Sequence, residues 1–317
     1  GIDPQEEKRK ATIKKPKFEE IWAMFDELYI AKSVKDKTAK DYRQIAAKNI
    51  LPKLGKRNLD EVERVEVVRL IDTVATRAPI LANRTLGLLK QFFDWAIGRG
   101  DIAMNPALGI PKAMKETPRE RILSLTEMRK IYSAACSLSP ANKLFIQMLL
   151  LTGQRAGVIA KLCRTEWLDD HLEIAGERNK SGERILVPLS AIAQKKLAEV
   201  NHTNGSFLVS TTNGLKPISG FSKLKKKIDL LSGVTGWRLH DIRRGLATHF
   251  EDNGVDRFYV ERLLNHKDNS VTGIYAKSNH LEMRRNIFEQ WSEILTSKDG
   301  SGSKNVIKFR GTTGWNA

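Results

Sequence analysis

The chain has 317 residues, with 54 Lys and Arg against 37 Asp and Glu, a formal charge of +17. That excess suits a polyanionic partner, while 41% hydrophobic and 29% charged residues is an ordinary globular composition that excludes disordered and fibrous classes. The longest apolar run, Leu144 to Leu151, is interrupted by Gln147 and falls far short of the ~20 residues of a membrane span, so no membrane partner is expected.

Residues 1–17 read as a basic linker whose first four residues, Gly1 to Pro4, are a non-native start; Gln5 to Lys17 alone holds six basic residues. Phe18, Ile21, Trp22, Phe25, Leu28 and Tyr29 then recur at helical spacing. A second amphipathic stretch runs from Thr38 to Ile50, where Pro52 is expected to stop it. Val65, Val68, Leu70 and Ile71 mark a third helix, and Leu81, Leu88, Leu89, Phe92, Phe93 and Ile97 a fourth, closed by Gly98 and Gly100. The expectation is a four-helix domain over 18–108, with Phe92, Phe93 and Trp95 in its core.

A Pro-bearing basic linker, 109–121, leads to a second domain over 122–296. Its sequence opens with Ser124-Leu-Thr-Glu127, a capping box ahead of a helix bearing Met128, Ile131 and Tyr132. Another helix precedes Thr152-Gly153. The period then changes: His171 to Ala175 and Arg184 to Val187 read as strands of a hairpin around the polar turn Asn179-Lys180-Ser181-Gly182. Helices resume at Ala191–Val200, Phe221–Leu231, His240–Asp252, Phe258–Leu264 and His280–Leu295, and a Gly-, Ser- and Lys-rich tail fills 297–317. Cys136 and Cys163 fall in apolar helical patterns and read as reduced core residues of a cytosolic protein. No signal or transit pattern precedes the first helix. Both halves are basic: 23 basic against 17 acidic residues in 1–117, and 31 against 20 afterwards. That distribution suits two lobes facing one polyanion rather than a single basic tail.

Four short patterns carry chemistry: Thr152-Gly-Gln-Arg155, Lys180 in the hairpin turn, His240-Asp-Ile-Arg243, and Leu264-Asn-His266 followed by Tyr275. Each alone has a bland reading: a surface arginine, a turn lysine, polar residues at a helix start, a structural histidine, a packing tyrosine. His240 and Arg243 lie three apart, so a base and a forked phosphate donor share one helix face.

Taken together and in this order, these residues resemble the tyrosine recombinase (phage integrase) family. Leu239-His-Asp-Ile-Arg-Arg244 and Leu263-Leu-Asn-His266 look especially like integrases of temperate phages and genomic islands. The resemblance covers nearly the whole chain. It implies a mainly α fold with a small β-hairpin or sheet in the second domain, forming a two-domain C-shaped DNA clamp. The implied activity is that of a metal-independent, site-specific recombinase that integrates or excises a prophage or genomic island through a 3′-phosphotyrosyl intermediate. Tyr275 would be the nucleophile, His240 its base, Arg155 and Arg243 the grip on the non-bridging oxygens, Lys180 the acid for the 5′-oxygen, and His266 a hydrogen-bonding partner of phosphate or tyrosine.

The implied partners are double-stranded DNA at attachment sites, further copies of the chain as a tetramer, and a directionality factor or host DNA-bending protein. No cofactor is implied, and the location is the bacterial cytoplasm, at the nucleoid. Lys37, Lys40, Arg43, Arg84 and Lys90 lie on the two first-domain helices that the resemblance sets against DNA. The outer face of the Phe221–Leu231 helix, with Lys223, Lys225, Lys226 and Lys227, is a second candidate. One position departs from the family: Val158 stands three residues after the first arginine, where an acid is common. A type IB topoisomerase has a similar catalytic set, and a decayed, non-catalytic DNA-binding protein is a reading from another class. The island-type details and first-domain pattern favour recombination over the former, and the filled catalytic positions argue against the latter.

Overall fold

A computed structural model describes residues 15–117, 119–178, 182–201, 204–265 and 280–297. The chain folds as two compact units, Gly1–Arg119 and Glu120–Ala317. Among the described residues no helix is long and apolar enough to cross a membrane.

The first unit is helical because its apolar residues fall on single faces. Helix α1 (Phe18–Phe25) buries Phe18, Ile21, Trp22 and Phe25, and runs through a π-helical turn, Asp26–Ile30, into Ala31–Ser33. Helix α2 (Asp36–Ile45) likewise passes into a π-turn, Ala46–Ile50. Pro52 does not stop this helix, contrary to expectation: the chain goes on as Leu51–Leu54 with the proline in its first turn. A missing N–H is harmless in a first turn, and the widened π-turn before it makes room for the ring. Helix α3 (Arg64–Ala75) starts where the Glu66 carboxylate reaches back to the Glu63 N–H at 3.0 Å. Helix α4 (Pro79–Gly98) carries the centre of the core. The Phe18 ring centroid lies 4.6 Å from that of Phe92 and 5.9 Å from that of Phe93, and Trp22 is 5.4 Å from Phe92. Phe92 and Phe93 are wholly buried, so they are packing residues and not stacking platforms for bases. Trp95 packs its edge on Phe25 at 5.2 Å and carries the Arg99 guanidinium over its ring.

In the second unit the capping box forms as expected. The Glu127 N–H donates to Ser124 Oγ at 3.2 Å, and the Ser124 N–H donates to the Glu127 carboxylate at 3.0 Å, at the head of α5 (Leu125–Ala135). Helix α6 (Pro140–Thr152) buries Leu144 through Thr152 without a break. Apart from Gln147 and the closing Thr152 this stretch is apolar on every side, so it forms the central rod of the unit's core. After the short α7 (Ala156–Ala160) comes an antiparallel sheet of β1 (Trp167–Leu168), β2 (His171–Ile174) and β3 (Ile185–Pro188) in the order β1-β2-β3. Leu172 opposite Val187 and Ile174 opposite Ile185 set the apolar register of the predicted hairpin. Strand β1 has only two residues, too few to show alternation in the sequence.

Among the described residues, helices α8 (Ala191–Ala198), α9 (Phe221–Ser232), α10 (Leu239–Asp252), α11 (Arg257–Leu263) and α12 (Leu281–Thr296) follow. Helix α12 returns to the central rod, with the Trp291 indole N–H donating to Leu150 O at 2.7 Å. The cysteines correct the sequence reading. Helix α5 ends at Ala135, which leaves Cys136 on its exposed cap, and Cys163 is half-buried just before a 3₁₀ turn; both thiols are free.

Candidate active site

Helix α6 ends because Gly153 turns left-handed, with φ of +60°. A Cβ there would lie 2.8 Å from Leu264 Cδ2 and 3.0 Å from Leu246 Cδ2, so glycine is required by conformation and by space. The turn swings Arg155 to the N-terminal cap of α7. Helix α10, whose Arg238 N–H is capped at 2.8 Å by the buried Asp241 carboxylate, presents His240 in its first turn and Arg243 one turn later.

Arg243 is buried, at 3% exposure. Its Nη1 donates to Gly153 O at 3.0 Å and its Nη2 to Leu264 O. Burial first, and the Arg155 charge second, push its pKa down to about 9, so the guanidinium stays cationic at neutral pH. Arg155 Nη1 reaches Asn265 O at 3.5 Å, the outer limit of a hydrogen bond. His240 is accessible, yet the surrounding protein desolvates its ring. That effect, followed by Arg243, Arg244 and Arg155, lowers its pKa, against an opposing pull from Asp241. The imidazole is therefore neutral at cellular pH and able to accept a proton.

Arg155, His240 and Arg243 thus meet at one place: Arg155 and Arg243 are held on the successive carbonyls of Asn265 and Leu264, and both arginines lower the His240 pKa. Lys180, His266 and Tyr275 lie outside the described residues. The chain leading to His266 is described, and little in the sequence signals how firmly it is held. Gln154, 3% exposed, donates from Nε2 to Thr152 O at 3.1 Å and to Leu263 O at 2.8 Å. Its Oε1 accepts from Asn265 Nδ2 at 2.9 Å. Asn265 itself is left-handed, with φ of +51°. Gln154, Asn265 and Arg243 therefore tie the Gly153–Arg155 turn to the Leu263–Asn265 turn. The one hint in the sequence is a glutamine placed between a helix-ending glycine and a candidate arginine.

Val158 is buried in the second unit's apolar core. No carboxylate among the described residues pairs with Arg155, whose support is the Asn265 carbonyl. Among the described residues no three His, Cys, Asp or Glu side chains gather where they would hold a metal ion.

The expected DNA-facing cations are unequal. Lys37 and Lys40 on α2 and Arg84 on α4 are exposed. Arg43 gives its Nε to Asp26 at 2.8 and 3.0 Å, and Lys90 gives its ammonium to Ile110 O at 2.9 Å. On α9, Lys225 turns inward over the Trp237 ring at 4.1 Å and pairs with Asp229.

Known proteins share this sequence pattern and fold. The phage integrase family model matches residues 121–282, and the phage integrase central domain model matches residues 18–113. The integrase of Escherichia phage HK022 is 26% identical over 271 residues, covering 80% of this chain and 74% of its own length. Prophage integrase IntZ of Escherichia coli K12 is 25% identical, covering 82% and 66%. Tyrosine recombinase XerD of Listeria innocua is 26% identical, covering 73% and 83%. In fold, a lambda integrase tetramer bound to a Holliday junction superposes with a TM-score of 0.71 at 20% identity, over 85% of this chain and 83% of that one. A lambda integrase dimer on a COC′ core site gives 0.70 at 20% identity, over 88% and 82%. With one family match reaching from the linker into α12 and spanning every catalytic position singled out in the sequence, the chain belongs to the phage integrase family of tyrosine recombinases.

Proposed function

We propose that this chain is a site-specific DNA recombinase, an integrase that cleaves and rejoins duplex DNA through a 3′-phosphotyrosyl bond at Tyr275. The observation that carries the reading is the meeting of Arg155 and Arg243, with no carboxylate among the described residues to neutralise either. Two forked cations held together in this way complement the charge that builds on the non-bridging oxygens of a phosphate under attack. The buried Arg243 is preorganised by two carbonyls and keeps further N–H groups for the phosphate.

In the cleavage step the Tyr275 oxygen bonds to phosphorus while the bond from phosphorus to the 5′-oxygen breaks. A phenol of pKa ~10 must lose its proton, and neutral His240 takes it. Lys180 delivers a proton to the departing 5′-oxygen, and His266 hydrogen-bonds the phosphate or the tyrosine. Rejoining is the reverse, with a 5′-hydroxyl of the partner strand as nucleophile. The same reading makes the acting species a tetramer on paired attachment sites, in keeping with the solved lambda integrase tetramer on a Holliday junction, with a directionality or DNA-bending protein as accessory.

The test is covalent trapping on DNA from the ends of the integrated element. Wild-type chain should give a DNA adduct stable to denaturant, and Tyr275→Phe none, with DNA affinity kept within a few-fold because one hydroxyl is lost among many phosphate contacts. Adducts that persist in Tyr275→Phe would refute the assignment.

A further inference from the structure

The connection that carries Lys180 is fastened at its root by a buried carboxylate that no step of the reaction uses. Strands β2 and β3 end their pairing at Ile174 opposite Ile185, so Ala175 to Arg184 connect them, and Lys180 falls between Arg178 and Gly182 in the sequence. A lysine delivers its proton from the end of a flexible four-carbon stem. Where its ammonium reaches therefore depends on where the backbone on either side is held.

Two contacts hold that backbone. The arms of the connection touch at Gly176 and Gly182: a Cβ on Gly176 would run into the Gly182 carbonyl, and Gly182 is left-handed with φ of +80°. In the first arm a 3₁₀ turn, Gly176–Arg178, has the Arg178 N–H on Ala175 O at 3.1 Å, and the Arg178 guanidinium forms an ion pair with Glu166. Glu166 is 9% exposed, and its carboxylate also accepts the Cys163 N–H at 2.8 Å, at the head of the Arg164–Glu166 turn. That turn is bound in its own right to a neighbouring segment: the Arg164 N–H donates to Ser206 O and the Leu208 N–H to Leu162 O, each at 2.8 Å. A carboxylate so far withdrawn from water is costly unless it is paired, and the cation it takes lies two residues before Lys180. The chain that ends at Glu166 starts at Arg155 and passes through α7. One short stretch thus bears the first arginine at one end and the anchor of the lysine connection at the other.

We propose that Glu166 and Arg178 are positioning residues for the general acid, acting through Lys180 and not on the phosphate; the proposal rests on the reading of Lys180 as that acid. Their ion pair fixes the first arm of the connection to a turn that is itself held, and the Gly176–Gly182 contact passes that constraint to the second arm.

The experiment uses the full chain, in single-turnover cleavage of DNA from the end of the integrated element, with either oxygen or sulfur as the 5′-bridging atom. Glu166→Gln keeps the shape of the side chain. Its one amide oxygen can retain the Cys163 N–H, and its amide nitrogen then faces the guanidinium. Arg178→Met removes the charge from the other side and keeps most of the stem. Each should slow the ordinary site ten- to a hundredfold, the cost of displacing a reacting group by about 1 Å. Each should cleave the sulfur site within about threefold of wild type, because a thiolate leaves without a proton. Adding Glu166→Gln to Lys180→Ala should slow the ordinary site by less than about twofold further, since the anchor then has no acid to place. Equal slowing on both sites would overturn the proposal, marking the pair as purely structural or Arg178 as a phosphate contact. So would wild-type cleavage of the ordinary site by either variant, or losses that multiply in the double variant. Lys180→Ala on the same two sites reads the acid separately. If sulfur fails to rescue it, the acid reading falls and takes the anchor with it; if sulfur rescues it and not the anchor variants, the anchor alone falls.

Discussion

Replacing Gln154 by methionine keeps the volume of the side chain and deletes its hydrogen bonds, so it isolates what the amide does. Three bonds are lost: two donated to carbonyls, at 3.1 and 2.8 Å, and one accepted from Asn265 at 2.9 Å. A neutral bond is worth roughly 1 kcal/mol net, and a buried partner left unpaired adds to that, so about 3 kcal/mol is expected. For a unit of this size, 1 kcal/mol moves Tm by roughly 2–4 °C, which gives a fall of about 6–12 °C by calorimetry. The effect on chemistry should exceed the effect on binding, because Gln154 holds the turn bearing Arg155 against the chain that enters His266. A displacement near 1 Å costs about 10²-fold in rate, so single-turnover cleavage should fall ten- to a hundredfold while duplex affinity stays within a few-fold. Gln154→Glu should be worse than methionine, since it aims a carboxylate oxygen at two carbonyls. A methionine variant that melts within ~1 °C of wild type and cleaves at the wild-type rate would refute the reasoning.

Lys180→Ala should cleave an ordinary site very slowly yet cleave a 5′-bridging phosphorothiolate site at close to the wild-type rate, since a thiolate leaves without needing a proton; failure of that rescue would make Lys180 a simple turn residue. Arg243→Lys should lower both stability and cleavage, the latter by on the order of 10², because an ammonium cannot span Gly153 O and Leu264 O while facing a phosphate; urea midpoints and single-turnover rates on one preparation check it. His240 and His249 both have lowered pKa values, by desolvation first. Above pH ~6.5 they are neutral folded and unfolded, while below it the unfolded chain takes up protons first, so urea midpoints should begin to fall near that pH and level off below the folded values. Glu127, held below its usual 4.5 first by the Arg121 hydrogen bond, adds a separate loss only below about that value. His240→Gln should lessen the first decline and leave the second.

Local patterns are readable wherever short-range physics decides the outcome. The helices of both units follow from apolar spacing, the Ser124–Glu127 cap from its two residues, and the hairpin register from alternation. The misreadings share a cause, which is that the deciding partner lies outside the window being read. Pro52 predicts a helix end only if the turn before it is an α-turn, and here that turn is π. Cys136 looks apolar until α5 stops one residue short of it. Arg43 is legible as a charge, but its commitment to Asp26, seventeen positions away, is not. Gln154 has its decisive partners over a hundred positions on, so the chemistry of the site is written in short motifs and the structure that holds it is not. The family resemblance made Arg155, His240 and Arg243 candidates, and the fold brings these three together; the roles of Lys180, His266 and Tyr275 rest on the resemblance and the experiments above.

The double attachment of Arg243 has a consequence for how such a gene ages. An element that has lost the need to move no longer selects for strand cleavage, and its integrase drifts. His240, on the accessible first turn of α10, can then be exchanged with little harm to the folded chain. Arg243 cannot, because the carbonyls of Gly153 and Leu264 would be left without their donor in the interior. Among silenced copies that still fold and still bind DNA, the histidine should be lost early and this arginine late, so an intact Arg243 in a relative is evidence of a preserved fold and only weak evidence of a working enzyme.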